Sequence, residues 1–278
     1  MKKGSVRWET VPVRPEAEEI ERVLDRLLGP QNKSLNETNP SINAKLPKTD
    51  ANPGGGRVKA LHRAIVPPGR NHAINIRLYE QKPVLPEWLI ERKALSQEMM
   101  DTLRVAMETG SRILITGGTR TGKTTMLSAL CNFLPEGWRI LKIEDPEEIW
   151  IDRETVQTIE ARPQSVGTEV KPYTLADGVD DAMRMSPDYL VIGEVRDGRA
   201  AQALFRAMMT GHSGACTFHA HTPREAATRL ATIMGSDAQV MREDASQITA
   251  DSVDLIVQIG IRHEKRCVTA ITKLMPEL

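Results

Sequence analysis

The chain has 278 residues, which suits about two domains, and its 40% hydrophobic and 27% charged content excludes a mainly disordered or fibrous protein. Thirty-seven basic residues balance 37 acidic ones, so bulk attraction to nucleic acid or to an anionic membrane is excluded and such a partner would need a local patch.

Helical spacing of Ala17, Ile20, Val23, Leu24, Leu27 and Leu28, with Pro15 in the first turn and Gly29-Pro30 beyond, predicts a helix over 15–28. Residues 31–56 are rich in Asn, Pro, Gly, Ser and Thr; they read as a linker or as a short strand at 41–46 with a loop tip after it. Strand-like runs follow at 57–66 and 72–79, and this stretch holds Arg57, Lys59, Arg63, Arg70 and Arg77 without an acid. From Ser96 onward helical and strand signals alternate, the pattern of an α/β domain with a parallel sheet. A domain boundary is expected near residue 91, giving units 1–91 and 92–278.

The expected order is helix 96–108, strand 112–116, helix 123–134, strand 138–144, helix 174–185, strand 189–193, helix 197–210, strand 214–219 and helix 223–234. That last helix carries a capping box, Thr222 with Glu225, and a Gly235 stop. Residues 253–261 and 266–274 read as a closing hairpin around Arg262–Lys265.

Cysteines 131, 216 and 267 have no framework spacing, which fits a reducing cytoplasm better than a disulfide-stapled domain. The opening MKKGSVRWETVPV lacks an apolar core and no run of about 18 apolar residues occurs, so neither a signal peptide nor a spanning helix is expected. Membrane contact would be peripheral.

The segment Gly117, Gly118, Thr119, Arg120, Thr121, Gly122, Lys123, Thr124, Thr125 matches G-x-x-x-x-G-K-[ST] between an apolar strand and an amphipathic helix. Glycines let backbone N–H groups face phosphate oxygens, the helix start adds partial positive charge, Lys123 reaches the β and γ phosphates, and Thr124 offers a hydroxyl to Mg²⁺. Glu144 and Glu194 fall at the ends of apolar strands, where ligands of parallel sheets gather. A carboxylate there needs Mg²⁺, a water or an arginine as partner. Gly193 precedes Glu194, where many P-loop ATPases carry Asp. His212, Cys216, His219 and His221 crowd together, but residues three apart in a strand face opposite ways, which argues against zinc. His212 instead reads as a phosphate donor at a helix end, and His219 as a buried, satisfied polar residue.

The strings GGTRTGKTT, IEDPEE, SPDYLVIGEVRDG and MMTGHSGACTFHAHTP, in that order, resemble the Walker A, Asp, Walker B and His boxes of the hexameric ATPases of type II and type IV secretion and type IV pili. SINAKLP, GGGRVKALH, INIRLYE, LSQEMMDTLRVAMETG, IEARPQS and VDLIVQIGIRHEKRCVTAITKL resemble the tight-adherence pilus and conjugative branch, so the likeness covers roughly 15–275. It implies an α/β fold, a RecA-like P-loop domain with a smaller N-terminal PAS-like α/β domain. It further implies ATP with Mg²⁺, phosphate contacts from Lys123 and Thr124, water activation by Glu144, the Mg²⁺ shell or a share of that task at Glu194, and γ-phosphate sensing by His212. Arg77 and Arg162 are expected to complete the nucleotide site, with Arg184 and Arg196 as further candidates.

The same resemblance implies a cytoplasmic homohexamer, peripheral at the inner face of the cell membrane, docked on inner-membrane platform or channel proteins and without direct nucleic-acid binding. This chain departs from the pattern at Arg120, where the family has small residues, at Leu78 and Ser186, where it has basic ones, and at His221, where it has Asn. A RecA-like nucleic-acid motor and a non-hydrolysing assembly scaffold are the alternatives. Against the first stands a content of ten aromatic residues (Phe 3, Trp 4, Tyr 3), too few for a base-stacking platform.

Overall fold

A computed structural model describes residue 12 and residues 15–79, 82–162 and 171–274. The opening basic segment and the end of the IEARPQS string lie outside the described residues. The chain forms two compact units, Met1–Tyr79 and Glu80–Leu278. The break precedes the expected position near residue 91 because Val84, Leu89, Ala94 and Leu95 belong to the core of the second unit.

In the first unit helix α1 (Ala17–Leu28) packs on a three-stranded antiparallel sheet of β1 (Ser41–Leu46), β2 (Gly56–Leu61) and β3 (Ala73–Leu78) in that order. The stretch that read as linker or strand thus contains a strand. Alternation places Ile42 and Ala44 of β1 inward, where they meet Leu24, Leu28, Val58 and Ala60. The second strand is shorter than expected because His62 accepts the N–H of Ala64 and starts a 3₁₀ turn at Arg63–Ile65.

The second unit is built on a seven-stranded sheet of order β10-β9-β4-β8-β7-β5-β6. Its strands are β4 (Ile113–Gly117), β5 (Ile140–Glu144), β6 (Val156–Glu160), β7 (Tyr189–Ile192), β8 (Ser213–Phe218), β9 (Leu255–Arg262) and β10 (Lys265–Lys273). All neighbours run parallel except the hairpin β9–β10. Helices α2 (Pro86–Glu91), α3 (Gln97–Glu108) and α4 (Lys123–Leu130) contribute to one core layer. Helices α5 (Leu175–Met183), α6 (Gly198–Met209), α7 (Pro223–Ala238) and α8 (Arg242–Ser252) contribute to the other. β4, β5 and β7 are buried along their whole length, which is why they read as continuous apolar runs rather than alternating ones.

Three elements escaped the sequence reading. α2 is a six-residue helix that opens on Pro86, too short to show a period. β6 is a short edge strand with two exposed and three half-buried positions, and α8 buries Ala245, Thr249 and Ser252, small residues that give little apolar periodicity. Helix α7 also runs through Gly235 to a left-handed Gln239. Its Thr222 hydroxyl caps the Glu225 N–H, but the Glu225 carboxylate accepts from His221 rather than closing the expected box.

The edge where the parallel strands begin is fixed by Arg112, which precedes β4. It donates from N and Nε to Asp254 Oδ2 (2.7 and 3.1 Å) and from Nη2 to Oδ1 (2.7 Å). Burial alone would raise the Asp254 carboxyl, but the Arg112 hydrogen bonds and charge outweigh it and hold the group below its ordinary value. The pair therefore stabilises the fold above the ordinary carboxylate range and loses its effect as pH falls below it. Asp254→Asn should lower stability at pH 7 by about 1–2 kcal/mol, given its partial exposure. Urea titrations at pH 7 and pH 3 would show the gap closing in acid; an equal gap at both would refute this account.

Candidate active site

β4 ends in Gly117 and the chain turns through Gly118–Gly122 into α4. Gly122 is left-handed (φ 97°) and starts α4 without a side-chain cap, so the first amides of the helix face the loop as anion-binding donors. Arg120 is also left-handed (φ 64°), a conformation that costs any residue with a Cβ about 1 kcal/mol and that glycine would adopt freely. A Cβ on Gly117 would meet Ile259 O and Thr121 Oγ1, both at 2.6 Å, so only glycine lets the loop lie this close to β9.

Lys123, 7% exposed, donates from Nζ to Gly117 O (3.0 Å) and Gly118 O (3.1 Å) and lies 3.3 Å from His219 Nδ1. His219 Nε2 stands 2.7 Å from Glu194 Oε1. Burial first, and the Lys123 charge second, lower the His219 pKa. A neutral ring with its proton on Nε2 satisfies both contacts: it donates to Glu194 and accepts from Lys123. Arg196 Nε binds the other Glu194 oxygen at 2.6 Å, and Arg196 Nη1 lies 3.6 Å from Asp145 Oδ2. One polar chain thus runs Lys123–His219–Glu194–Arg196–Asp145 along the ends of β4, β8, β7 and β5.

Glu144 lies beneath this chain and is 1% exposed. Its Oε1 accepts from the N–H groups of Glu148 (3.0 Å) and Ile149 (2.9 Å). Its Oε2 is 3.3 Å from Lys142 Nζ but has no hydrogen-bond donor among the described residues. Burial pushes its pKa up to about 7, against the lowering influence of Lys142 and the two amides.

Two of the expected site residues lie away from the cluster. His212 precedes β8, so it sits at the edge where the parallel strands begin, about 20 Å along the strand from His219. There its Nδ1 meets Ala207 O at 3.2 Å. The reason is topological: α6 runs antiparallel to the strands it joins, so its C-terminus falls at the edge opposite the P-loop. The histidine that meets Lys123 and Glu194 is His219, expected from the sequence as a buried, satisfied polar residue. Arg162 lies just past β6, four strand spacings or about 19 Å from β4, and pairs with Tyr173 in a β-bridge. Arg77 is exposed on β3 of the first unit, and Arg184 ends α5 beside Asp181. Cys216 is 1% exposed inside the core, so it does not converge with His212 and His219. His221 also borders the loop: a Cβ on Gly118 would stand 3.4 Å from its Cε1.

The residues fit a nucleoside triphosphate with Mg²⁺: uncapped helix amides and Lys123 for phosphate, and the Thr124 hydroxyl with the Glu194 carboxylate for the metal. A parallel sheet with a P-loop after one strand and a carboxylate at the end of another defines a RecA-like P-loop nucleotide-binding fold. The chain belongs to the family described as "Type II/IV secretion system protein", whose model matches residues 13–272. An uncharacterized protein of Methanocaldococcus jannaschii is 33% identical over 194 residues, 70% of this chain and 71% of the relative. The conjugal transfer protein TrbB of Rhizobium radiobacter is 29% identical over 225 residues, 79% of this chain and 63% of the relative. The X-ray structure of the Legionella pneumophila ATPase DotB superposes with a TM-score of 0.64 at 20% identity, covering 95% of this chain and 71% of that one. The chain spans only 34% and 27% of two further Methanocaldococcus jannaschii relatives.

The raised pKa of Glu144 sets a stability test. A carboxyl whose folded pKa lies above its unfolded value stabilises the fold below the unfolded value and loses that contribution as pH rises through about 7. Glu144→Gln removes the titration, so the variant should gain on the parent by up to roughly 3 kcal/mol between pH 5 and pH 8. Thermal melts across that range that stay parallel would show that Glu144 is already ionised in the fold.

Proposed function

We propose that this chain is the ATP-hydrolysing motor of a secretion or pilus-assembly machine, working as a homohexamer at the cytoplasmic face of the cell membrane. The unbroken polar chain from Lys123 to Asp145 carries this reading, because it places a phosphate-binding cation and a strand-end carboxylate in mutual contact. Family membership supports the machine, and the fold likeness to DotB supports the ATPase architecture. Among the described residues no helix is long and apolar enough to cross a membrane, so attachment would run through inner-membrane platform or channel proteins. The first unit would be the PAS-like domain of the family, and Arg77, Arg162 and Arg184 would act from that unit or from a neighbouring subunit.

The chemistry is phosphoryl transfer to water, which proteins accelerate chiefly by positioning and charge neutralisation. Lys123 exchanges the carbonyls of Gly117 and Gly118 for phosphate oxygens, so no bare charge is created when the ligand enters. Thr124 and Glu194 would hold Mg²⁺, which supplies further neutralisation of the β and γ phosphates. His219 keeps one hydrogen bond to Glu194 and lies against Lys123, so it registers whether the lysine has moved to a phosphate. Glu144 has the proton affinity a base needs near neutrality. Its Oε1 must first release the amides of Glu148 and Ile149, which makes water activation depend on a shift of the segment after β5.

Lys123→Ala should abolish both ATP binding and turnover, because the same charge serves both stages. Glu194→Gln and Glu144→Gln should retain ATP but lose on the order of 10²–10⁴-fold in kcat. Normal turnover in both Gln variants, with normal ATP binding by Lys123→Ala, would return the scaffold reading.

A second comparison separates the histidines. His219→Ala should lower kcat by on the order of 10²-fold, the scale of one lost transition-state donor, whereas His212→Ala should leave ATP affinity within a few-fold. Isothermal titration with steady-state kinetics on both variants would decide; the reverse ranking would restore His212 as the phosphate sensor.

A further inference from the structure

Lys142 lies two residues before Glu144 on β5, so both side chains leave the strand on one face. Its buried ammonium has three protons to place. Nζ donates to Ile149 O at 2.5 Å and to Glu147 Oε1 at 2.8 Å, and it stands 3.3 Å from Glu144 Oε2. Two close bonds thus go to the segment after β5, and Glu144 receives the loosest contact. Beyond Ile149 the same segment is fastened to α4 and the turn after it: Ser128 Oγ donates to Trp150 O at 2.7 Å, and Arg153 donates to Pro135 O and Asn132 O at 2.9 and 2.8 Å. Residues 147–149 are held from β5, by Lys142 and by the Glu144 oxygen that accepts the amides of Glu148 and Ile149.

One cation here serves two carboxylates. Glu147 is half-buried and keeps part of its surface in water, whereas Glu144 is buried, so a lysine drawn to Glu147 leaves the proton on Glu144. A shift of 147–149 withdraws Glu147 and Ile149 O together, and Glu144 Oε2 becomes the nearest acceptor. We propose that Lys142 is a positioning residue for the general base: the closed segment holds its ammonium off Glu144, and the shifted segment releases it onto Glu144 Oε2, where it keeps the carboxylate ionised. The proposal rests on the reading of Glu144 as the base. The proton count closes: Glu144 gives its proton to solvent as the ammonium arrives and takes one back from the attacking water, whose oxygen goes to the γ-phosphorus as the bond to the β-phosphate oxygen breaks. The other charged or titratable groups around the pair are Arg153, Glu148, Cys131 at the end of α4, and the Glu194–Arg196–Asp145 run across the ends of β7 and β5. They are common to every variant below, so differences between variants read Lys142 and Glu147.

Thermal melts without nucleotide give one readout. The stability step assigned above to Glu144, near pH 7 in the parent, should move down by roughly one pH unit in Glu147→Ala, where the ammonium is released to Glu144, and up by roughly one in Lys142→Met, where it is gone. Glu144→Gln should show no step. The acid limb of kcat should move the same way in each of the first two variants, about tenfold in proton concentration, with KM for ATP within a few-fold. A lysine that only fills space would shift neither. Steps that stay at the parent pH, or that move in one direction in both variants, overturn the proposal. If Lys142→Met does not fold, an unmoved step in Glu147→Ala overturns it alone. Glu144→Gln that hydrolyses ATP at the parent rate would instead remove the base reading, and the positioning role of Lys142 with it, whatever the melts show.

Discussion

The cost of burying charge at the carboxyl edge of a parallel sheet governs this molecule. Lys123, Lys142 and Glu144 are 7%, 3% and 1% exposed, and an isolated ion so placed would cost several kcal/mol. Each is held by a group it can trade. Lys142 stands between Glu144 and Glu147, Lys123 leans on main-chain carbonyls and His219, and both oxygens of Glu194 are occupied by His219 and Arg196. A site satisfied in this way can accept phosphate and release it without passing through a bare buried charge, which is what repeated turnover demands.

The same economy explains a glycine. A Cβ on Gly193 would stand 3.0 Å from Glu144 Cγ and 3.2 Å from Glu144 Oε1, tighter than a packed interior allows without displacement. An aspartate before Glu194 would therefore compete for the space that Glu144 holds. The absence of an Asp before Glu194 and the buried Glu144 are two sides of one packing decision: the space beside Gly193 is taken by a carboxylate from β5.

Most of the second unit was legible because its strands are buried on both faces and its helices are capped. Ser96, Thr174, Asp197 and Thr222 all cap the helices that follow them. The P-loop was legible as well, since glycine and lysine there have no substitutes in chemistry. The histidines were not. Residue type and spacing put His212 and His219 on equal terms, and only the direction of α6 relative to β8 separates them by the height of the sheet. That direction follows from the alternation of helix and strand, so the signal was present in the topology rather than in the motif. Gln258 carried no signal, because a glutamine in a hairpin strand is ordinary until its neighbours are known.

Those neighbours make Gln258 the mechanical link of the site. It is 5% exposed; its Oε1 accepts from Thr116 Oγ1 at 2.6 Å, and its Nε2 donates to Ala220 O at 3.2 Å. One side chain on β9 therefore holds both the strand that feeds the P-loop and the loop that carries His219 and His221. Buried hydrogen bonds of this kind are expensive to leave unmade, so a shift of the histidine loop as Lys123 changes partners must either break them or draw β9 with it. The second course is the cheaper, and it moves the hairpin whose Arg266 already lies against Gly122. In the proposed cycle, events at the phosphate would in this way be felt at β10, the outer edge of the sheet.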